Sequence, residues 1–231
     1  MINESRLSEI LAAGLADIKY PAAPRGLYEP VEYTLASGGK RLRPLLCLAA
    51  CQACGAEPEF AVQQALAVEM FHNFTLIHDD VMDRSDKRRG RPTVYARWGD
   101  VQAILSGDAL LTMATQKAAD CRAEVIKEVM ELFNRTAMEV YDGQQFDMEF
   151  ELRDDVTVDE YLHMIRLKTS VLLGCACGMG ALVAGAPEET RAALYDYGVH
   201  LGLAFQLRDD WLDTFGDPDI FGKPIGGDIL N

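Results

Sequence analysis

Apolar residues recur at i, i+3, i+4 and i+7 through almost all of this 231-residue chain, in stretches that run past 20 residues between breakers. That spacing lays one apolar stripe along a 3.6-residue helix. No segment shows the two-residue alternation of a half-buried strand. Helices are predicted over about 4–18, 28–37, 41–54, 58–84, 94–98, 101–119, 122–150, 157–184 and 188–213, with a short piece beyond. Gly38-Gly39 and Gly55 end helices, Pro21 and Pro24 hold a linker, Arg89-Gly90-Arg91-Pro92 ends the fourth pattern, and Thr157 and Pro187 start later ones. Helices this long suit an all-α, antiparallel bundle around a deep central cavity better than a small globule. No linker or compositional shift divides the chain, so residues 1–231 are expected to form a single helical domain. The last residues, Gly226-Gly-Asp-Ile-Leu-Asn231, stop in mid-pattern, and a chain truncated at its C-terminus is the expectation.

Hydrophobic residues make up 49% of the sequence, enough to bury a substantial core. A formal charge of −14 argues against a general nucleic-acid surface, so any anionic ligand needs a local basic patch or bound cations. Of the six cysteines, Cys47, Cys51 and Cys54 form one stripe of an apolar helix, and Cys175 and Cys177 lie in a run of small residues. Cys51-Gln-Ala-Cys54 lacks the matching second pair of a zinc site, so buried reduced thiols are expected. The opening MINESRLSEI is polar, no wholly apolar run reaches about 18 residues, and a cytoplasmic location without an integral membrane segment is expected.

Two acidic signatures of one form stand out: Asp79-Asp80-Val81-Met82-Asp83 and Asp209-Asp210-Trp211-Leu212-Asp213. On a helix, i and i+4 point within about 40° of each other, so Asp79 and Asp83 share a face, as do Asp209 and Asp213. Clustered carboxylates among apolar neighbours repel one another and are costly to desolvate. Hard divalent cations relieve that conflict, and Mg²⁺ typically uses a few carboxylates together with substrate phosphates. Either motif alone reads equally well as a solvated helix face; two of them, far apart in sequence, suit helices that face each other across a bundle. Around the first lie two cationic loops, Gly38-Gly39-Lys40-Arg41-Leu42-Arg43-Pro44 and Asp86-Lys87-Arg88-Arg89-Gly90-Arg91. Lys40 and Arg43 can converge on one anion, and in so acidic a chain the two loops favour a diphosphate-sized ligand.

GGKRLRP at Gly38–Pro44, the block FHNFTLIHDDVMDRSDKRRG, LKTS and FQLRDDWLD together resemble the trans-isoprenyl diphosphate synthase family, short-chain type such as farnesyl or geranylgeranyl diphosphate synthases. The match runs from about residue 35 to the end. The resemblance implies a prenyltransferase that condenses isopentenyl diphosphate head-to-tail with dimethylallyl, geranyl or farnesyl diphosphate. It implies a homodimer, and about three Mg²⁺ ions, or Mn²⁺ as substitute, held by Asp79, Asp83 and Asp209 against the allylic diphosphate. Asp80, Asp210 and Asp213 would support those ions through waters or as outer partners. Arg88, Lys168 and, by position, Lys223 would contact the same diphosphate. Lys40, Arg43, His72 and Arg89 would hold that of isopentenyl diphosphate, while Thr169, Gln206 and Lys168 line the reacting carbons. The residue five before the first aspartate, Phe74, would stand under the growing chain with Thr75 beside it and Phe71 a turn beneath, giving a C15 or C20 product; an ordinary core role for Phe74 stays open. Gln144 and Asp147 would face the cavity or a solvated helix edge. His78 would either orient Asp79 or be a satisfied core histidine.

Two other classes compete. A non-catalytic partner subunit of such a synthase would have the same fold, although all six motif aspartates are present. A ferritin-like dimetal protein could use Glu69-x-x-His72 and Glu160-x-x-His163, but would leave both aspartate motifs and both basic loops unexplained.

Overall fold

The computed structural model describes residues 3–215. Ten helices are present among them: α1 (Glu4–Ala16), α2 (Arg25–Leu35), α3 (Leu42–Ala53), α4 (Val62–Met82), α5 (Val94–Trp98), α6 (Asp100–Ala119), α7 (Ile126–Phe150), α8 (Val158–Ile165), α9 (Val171–Val183) and α10 (Glu188–Phe215). The all-α expectation holds, and most predicted boundaries lie within a few residues of those observed. Local chemistry explains several starts. The Asn3 side chain accepts from the Arg6 amide, Thr93 accepts from that of Ala96, and Thr157 with Glu160 forms a reciprocal capping box.

Three departures from the periodic reading matter for the site. The predicted 58–84 helix opens with a tight turn at Pro58–Ala61 and closes at Met82, so Asp83 is the cap of α4 rather than part of it. The loop after it contains a small antiparallel hairpin, Lys87–Arg88 (β1) with Arg91–Pro92 (β2). Its two-residue turn, Arg89-Gly90, has φ of 53° and 74°, the left-handed pair that a tight hairpin of this kind requires. Finally, the predicted 157–184 helix is interrupted by one π-helical turn, Arg166–Ser170, between α8 and α9.

All thirteen residues of α9 are buried, and α3, α7 and α10 pack around it. Its small residues let backbones touch: a methyl group on Gly180 would collide with the Cys47 carbonyl oxygen of α3, and one on Gly198 of α10 would stand 2.5 Å from the Leu173 carbonyl oxygen. Cys47, Cys51, Cys175 and Cys177 are buried free thiols, their pKa values raised chiefly by burial, as expected of small hydrophobes. The continuous stretch Val158–Val183 is long and apolar enough to cross a membrane by length and composition, yet 83% of its most apolar window lies inside the fold, where it serves as the core helix. On the other side of the core α4 runs along α6, and between α4, α7, α9 and α10 lies a cavity of about 820 Å³.

Candidate functional site

One face of α4 reaches the cavity with His72, Thr75, Leu76 and Asp79, and α10 reaches it with Phe205, Gln206 and Asp209. The two leading aspartates of the separate motifs thus line a single space. Burial pushes the Asp79 carboxyl up to about 6 against the pull of Lys168 and Arg88, with Asp83 and Asp80 adding to the rise. The other motif aspartates do not line the cavity. Asp80 is buried and accepts from Arg88 Nε at 2.8 Å, Asp83 is exposed, and Asp213 is buried. Asp210 accepts from the Tyr161 hydroxyl and, at 2.7 Å, from Gln206 Nε2. Gln206 Oε1 in turn accepts from Thr169 Oγ1 at 3.0 Å. The chain Thr169–Gln206–Asp210–Tyr161 fixes the amide orientation of Gln206, since each end can be satisfied in one way only.

A cationic wall of Lys40, Arg41, Arg43, Arg88 and Arg89 lines the same cavity. Its keystone is Arg41, left-handed at φ 49°, a conformation that costs a non-glycine residue stability. The guanidinium offsets that cost by pairing with Glu69, which is only 2% exposed, and by donating to the Leu35 carbonyl; Asn73 Nδ2 donates to Glu69 Oε1 at 2.7 Å. This ion pair turns the chain so that Lys40 and Arg43 both face the cavity. Arg43 lines it half-buried, and desolvation lowers its pKa to about 10. Burial and the surrounding guanidinium groups push His72 well below its ordinary pKa, so the neutral ring accepts from Arg43 Nη1 through Nε2 at 3.2 Å. The buried Arg43 Nε has no protein partner. Arg89 lies across Gly39 and donates to the Gly38 carbonyl. Cations gathered with a neutral imidazole, one of them carrying an unanswered donor, make an anion seat.

The π-helical turn supplies the third wall, presenting Lys168 and Thr169 together to the cavity. Such a turn widens the helix by one residue and is frequent at functional sites. Lys168 Nζ pairs with Asp147 of α7. Below the polar rim the cavity is apolar, lined by Phe74, Val140, Tyr141, Leu172 and Leu173. Phe74 is 6% exposed and stands edge-on to Tyr141 with centroids 6.2 Å apart, while Phe71, 1% exposed, does not line the cavity but packs behind Phe74 at 5.6 Å and meets Phe133 at 5.6 Å. Phe74 thus lines the apolar part of the cavity, together with Tyr141 from a second helix. Thr75 lines the cavity beside it.

Among the described residues no three carboxylate, imidazole or thiol side chains close into a ready-made metal cage. The donors present are carboxylate oxygens opposite cationic side chains. That set suits a hard cation such as Mg²⁺, which keeps open positions for waters and phosphate oxygens.

A model of the polyprenyl synthetase family matches residues 24–231. The chain belongs to that family. It is 46% identical over 191 residues to the (2E,6E)-farnesyl diphosphate synthase of Mycobacterium bovis, covering 83% of this chain and 53% of that protein. It is 43% identical over 209 residues to the geranylgeranyl diphosphate synthase of Methanosarcina mazei, covering 90% and 64%. A crystal structure of a geranylgeranyl pyrophosphate synthase superposes with a TM-score of 0.95 at 52% identity, covering 99% of this chain and 70% of that one. The chain thus spans between about half and two thirds of the length of these curated relatives.

The ferritin-like pairing fails on geometry. Glu69 is committed to Arg41 and Asn73, and Glu160 to its capping box and Arg153, while His163 is exposed. His78 lines the cavity with its ring held from the α6 side: its Nε2 lies 3.2 Å from the Ile104 carbonyl and 3.7 Å from Asp108 Oδ1, and the ring stands edge-on to Phe74. Gln144 lines the cavity, while Asp147 is half-buried behind it and pairs with Lys168. Lys223 lies outside the described residues. Sequence reasoning did not single out Arg41 with Glu69 as a pair, nor Tyr161 or Tyr141. A buried Glu eight residues ahead of the motif's last apolar neighbour, Ile77, was the one local signal available, since a carboxylate on an apolar stripe demands a partner.

Proposed function

We propose that this chain carries the active site of a short-chain trans-prenyltransferase, joining isopentenyl diphosphate to an allylic diphosphate and releasing pyrophosphate. The single observation that carries the reading is the division of one cavity into a carboxylate side, a cationic side and an aromatic-floored apolar depth. Asp79 and Asp209 would hold Mg²⁺ against the allylic diphosphate, with Asp83 nearby and Asp80, Asp210 and Asp213 as outer supports. Bound there, the ions would neutralise the charge that grows on the leaving pyrophosphate as the C–O bond breaks. Arg88 and Lys168 add fixed positive charge on the same oxygens, in a site already organised before reaction. Lys40, Arg43, Arg89 and neutral His72 hold the second diphosphate, so the double bond of isopentenyl diphosphate faces the allylic carbon in register. Thr169 and Gln206, immobilised by Asp210 and Tyr161, present oxygen dipoles to the developing cation without a nucleophile that would trap it. The proton lost from the new double bond passes to the departing pyrophosphate. Phe74, Tyr141 and Leu172 exclude water, which would otherwise quench the cation as an alcohol.

Incubating the protein with isopentenyl diphosphate and each of dimethylallyl, geranyl and farnesyl diphosphate tests this directly. Products of C15, C20 or both are expected in Mg²⁺, and none after chelation. A folded chain that forms no product with any primer would reject the enzyme and leave the partner-subunit reading.

The likeness to the family also carries a homodimer. Val101, Ile104 and Leu105 of α6 are exposed on one face, an apolar surface that a second copy would cover. Leu105→Glu is expected to convert a dimer to a monomer in sedimentation; a monomeric unsubstituted chain would refute this assignment.

A further inference from the structure

Lys168 lines the same cavity as Asp79 and pairs through its ammonium with a second carboxylate, Asp147. Lys168 is also the strongest charged influence on Asp79. A four-carbon side chain with a free ammonium would settle on whichever carboxylate is nearest, and an ammonium on Asp79 would occupy the oxygens a metal ion needs. Asp147 removes that competition. It stands four residues beyond Gly143, so both lie on one face of α7. A methyl group on Gly143 would collide with the Lys168 amide nitrogen and lie 2.7 Å from its Cα. On the opposite side, a methyl on Gly202 of α10 would come 2.5 Å from Ser170 Cα. The π-helical turn is therefore gripped through its backbone by two helices, and one of them also holds the side chain.

We propose that Asp147 is a positioning residue: by pairing with Lys168 from α7 it keeps that ammonium off Asp79, leaving the Asp79 carboxylate open to metal and the lysine poised for the diphosphate. The inference deepens the prenyltransferase reading and rests on it. It makes the π-helical turn and Gly143 part of the same device, since the close backbone approach at Gly143 sets where on the turn Lys168 stands relative to Asp147.

Calorimetric titration of the full chain with inorganic pyrophosphate at fixed Mg²⁺ reads the site without requiring turnover. Asp147→Asn, close to isosteric, is expected to weaken pyrophosphate binding about tenfold and to raise the Mg²⁺ concentration needed for half-saturation. The same substitution on a Lys168→Gln background is expected to change nothing further, because no ammonium remains to misplace. Asp147→Glu restores the charge and is expected to recover part of the affinity. Unchanged or tighter binding in Asp147→Asn would overturn the proposal, since loss of a negative charge alone favours an anion. Equal weakening in both backgrounds would overturn it too, because the effect would not pass through Lys168. A chain that binds Mg²⁺ pyrophosphate as described but makes no prenyl product would instead fail the catalytic reading alone.

Discussion

Asp79→Asn is expected to lower prenyl diphosphate formation by about 10³-fold, roughly 4 kcal/mol of transition-state stabilisation, while leaving the protein as stable as before or more so. The loss follows from charge: an amide nearly matches the carboxylate in shape but binds a hard cation poorly. The stability follows from the raised pKa. Burial favours the neutral form of Asp79, which shifts its pKa from the ordinary carboxylate range up to about 6. For an acid, a folded-state value above the unfolded one means that ionisation opposes folding. The penalty is absent below the unfolded value, grows as pH rises between the two, and is fully present above about 6. At neutral pH the metal-free protein therefore carries a strained carboxylate, and the amide relieves it. Product formation under saturating Mg²⁺, together with thermal unfolding in chelator, checks both halves. Near-normal turnover, or a marked drop in unfolding temperature, would contradict the role assigned to Asp79. A site residue that stabilises the fold when removed is the usual mark of function placed ahead of stability.

Phe74→Ala is expected to lengthen the product by about one five-carbon unit. Removing the ring opens the apolar end of the cavity by the space between Tyr141 and Phe71. The gain is bounded because Phe71, behind that ring, is fully packed and Phe133 stands edge-on to it. A double Phe71→Ala, Phe74→Ala variant would then extend products further. Truncating a buried phenylalanine costs about 3–5 kcal/mol where the cavity cannot collapse, so folding must be followed alongside chain length. Phe74→Leu is the milder control, with a smaller shift at less cost. An unchanged product distribution from folded Phe74→Ala protein would return Phe74 to the ordinary core and place the floor at Tyr141.

Much of the site's composition was legible along the chain. Asp79, Asp209, Lys168, Thr169 and Gln206 all line the cavity, as do Lys40, Arg43, His72, Arg88 and Arg89; for His72 with Asp79 and for Gln206 with Asp209, helical spacing sets the shared face. Adjacent aspartates on a helix must diverge by about 100°, so the separation of Asp79 from Asp80 was implicit. That Asp80 would pair with Arg88 was not, because the partner arrives on a hairpin whose turn depends on the left-handed Arg89-Gly90 pair.

Helix positions, the apolar stripes that build the core, and the identity of the acidic and basic clusters were determined by the sequence alone. These follow from local rules: periodicity, capping and turn chemistry act over a few residues. Tertiary structure alone decided the Arg41–Glu69 pair that aims the cationic loop, the Tyr161 hydroxyl on Asp210, the shared Phe74–Tyr141 floor and the π-helical turn gripped between Gly143 and Gly202. Each joins residues on different helices, and whether such groups meet depends on how whole helices pack, a quantity that no local window contains.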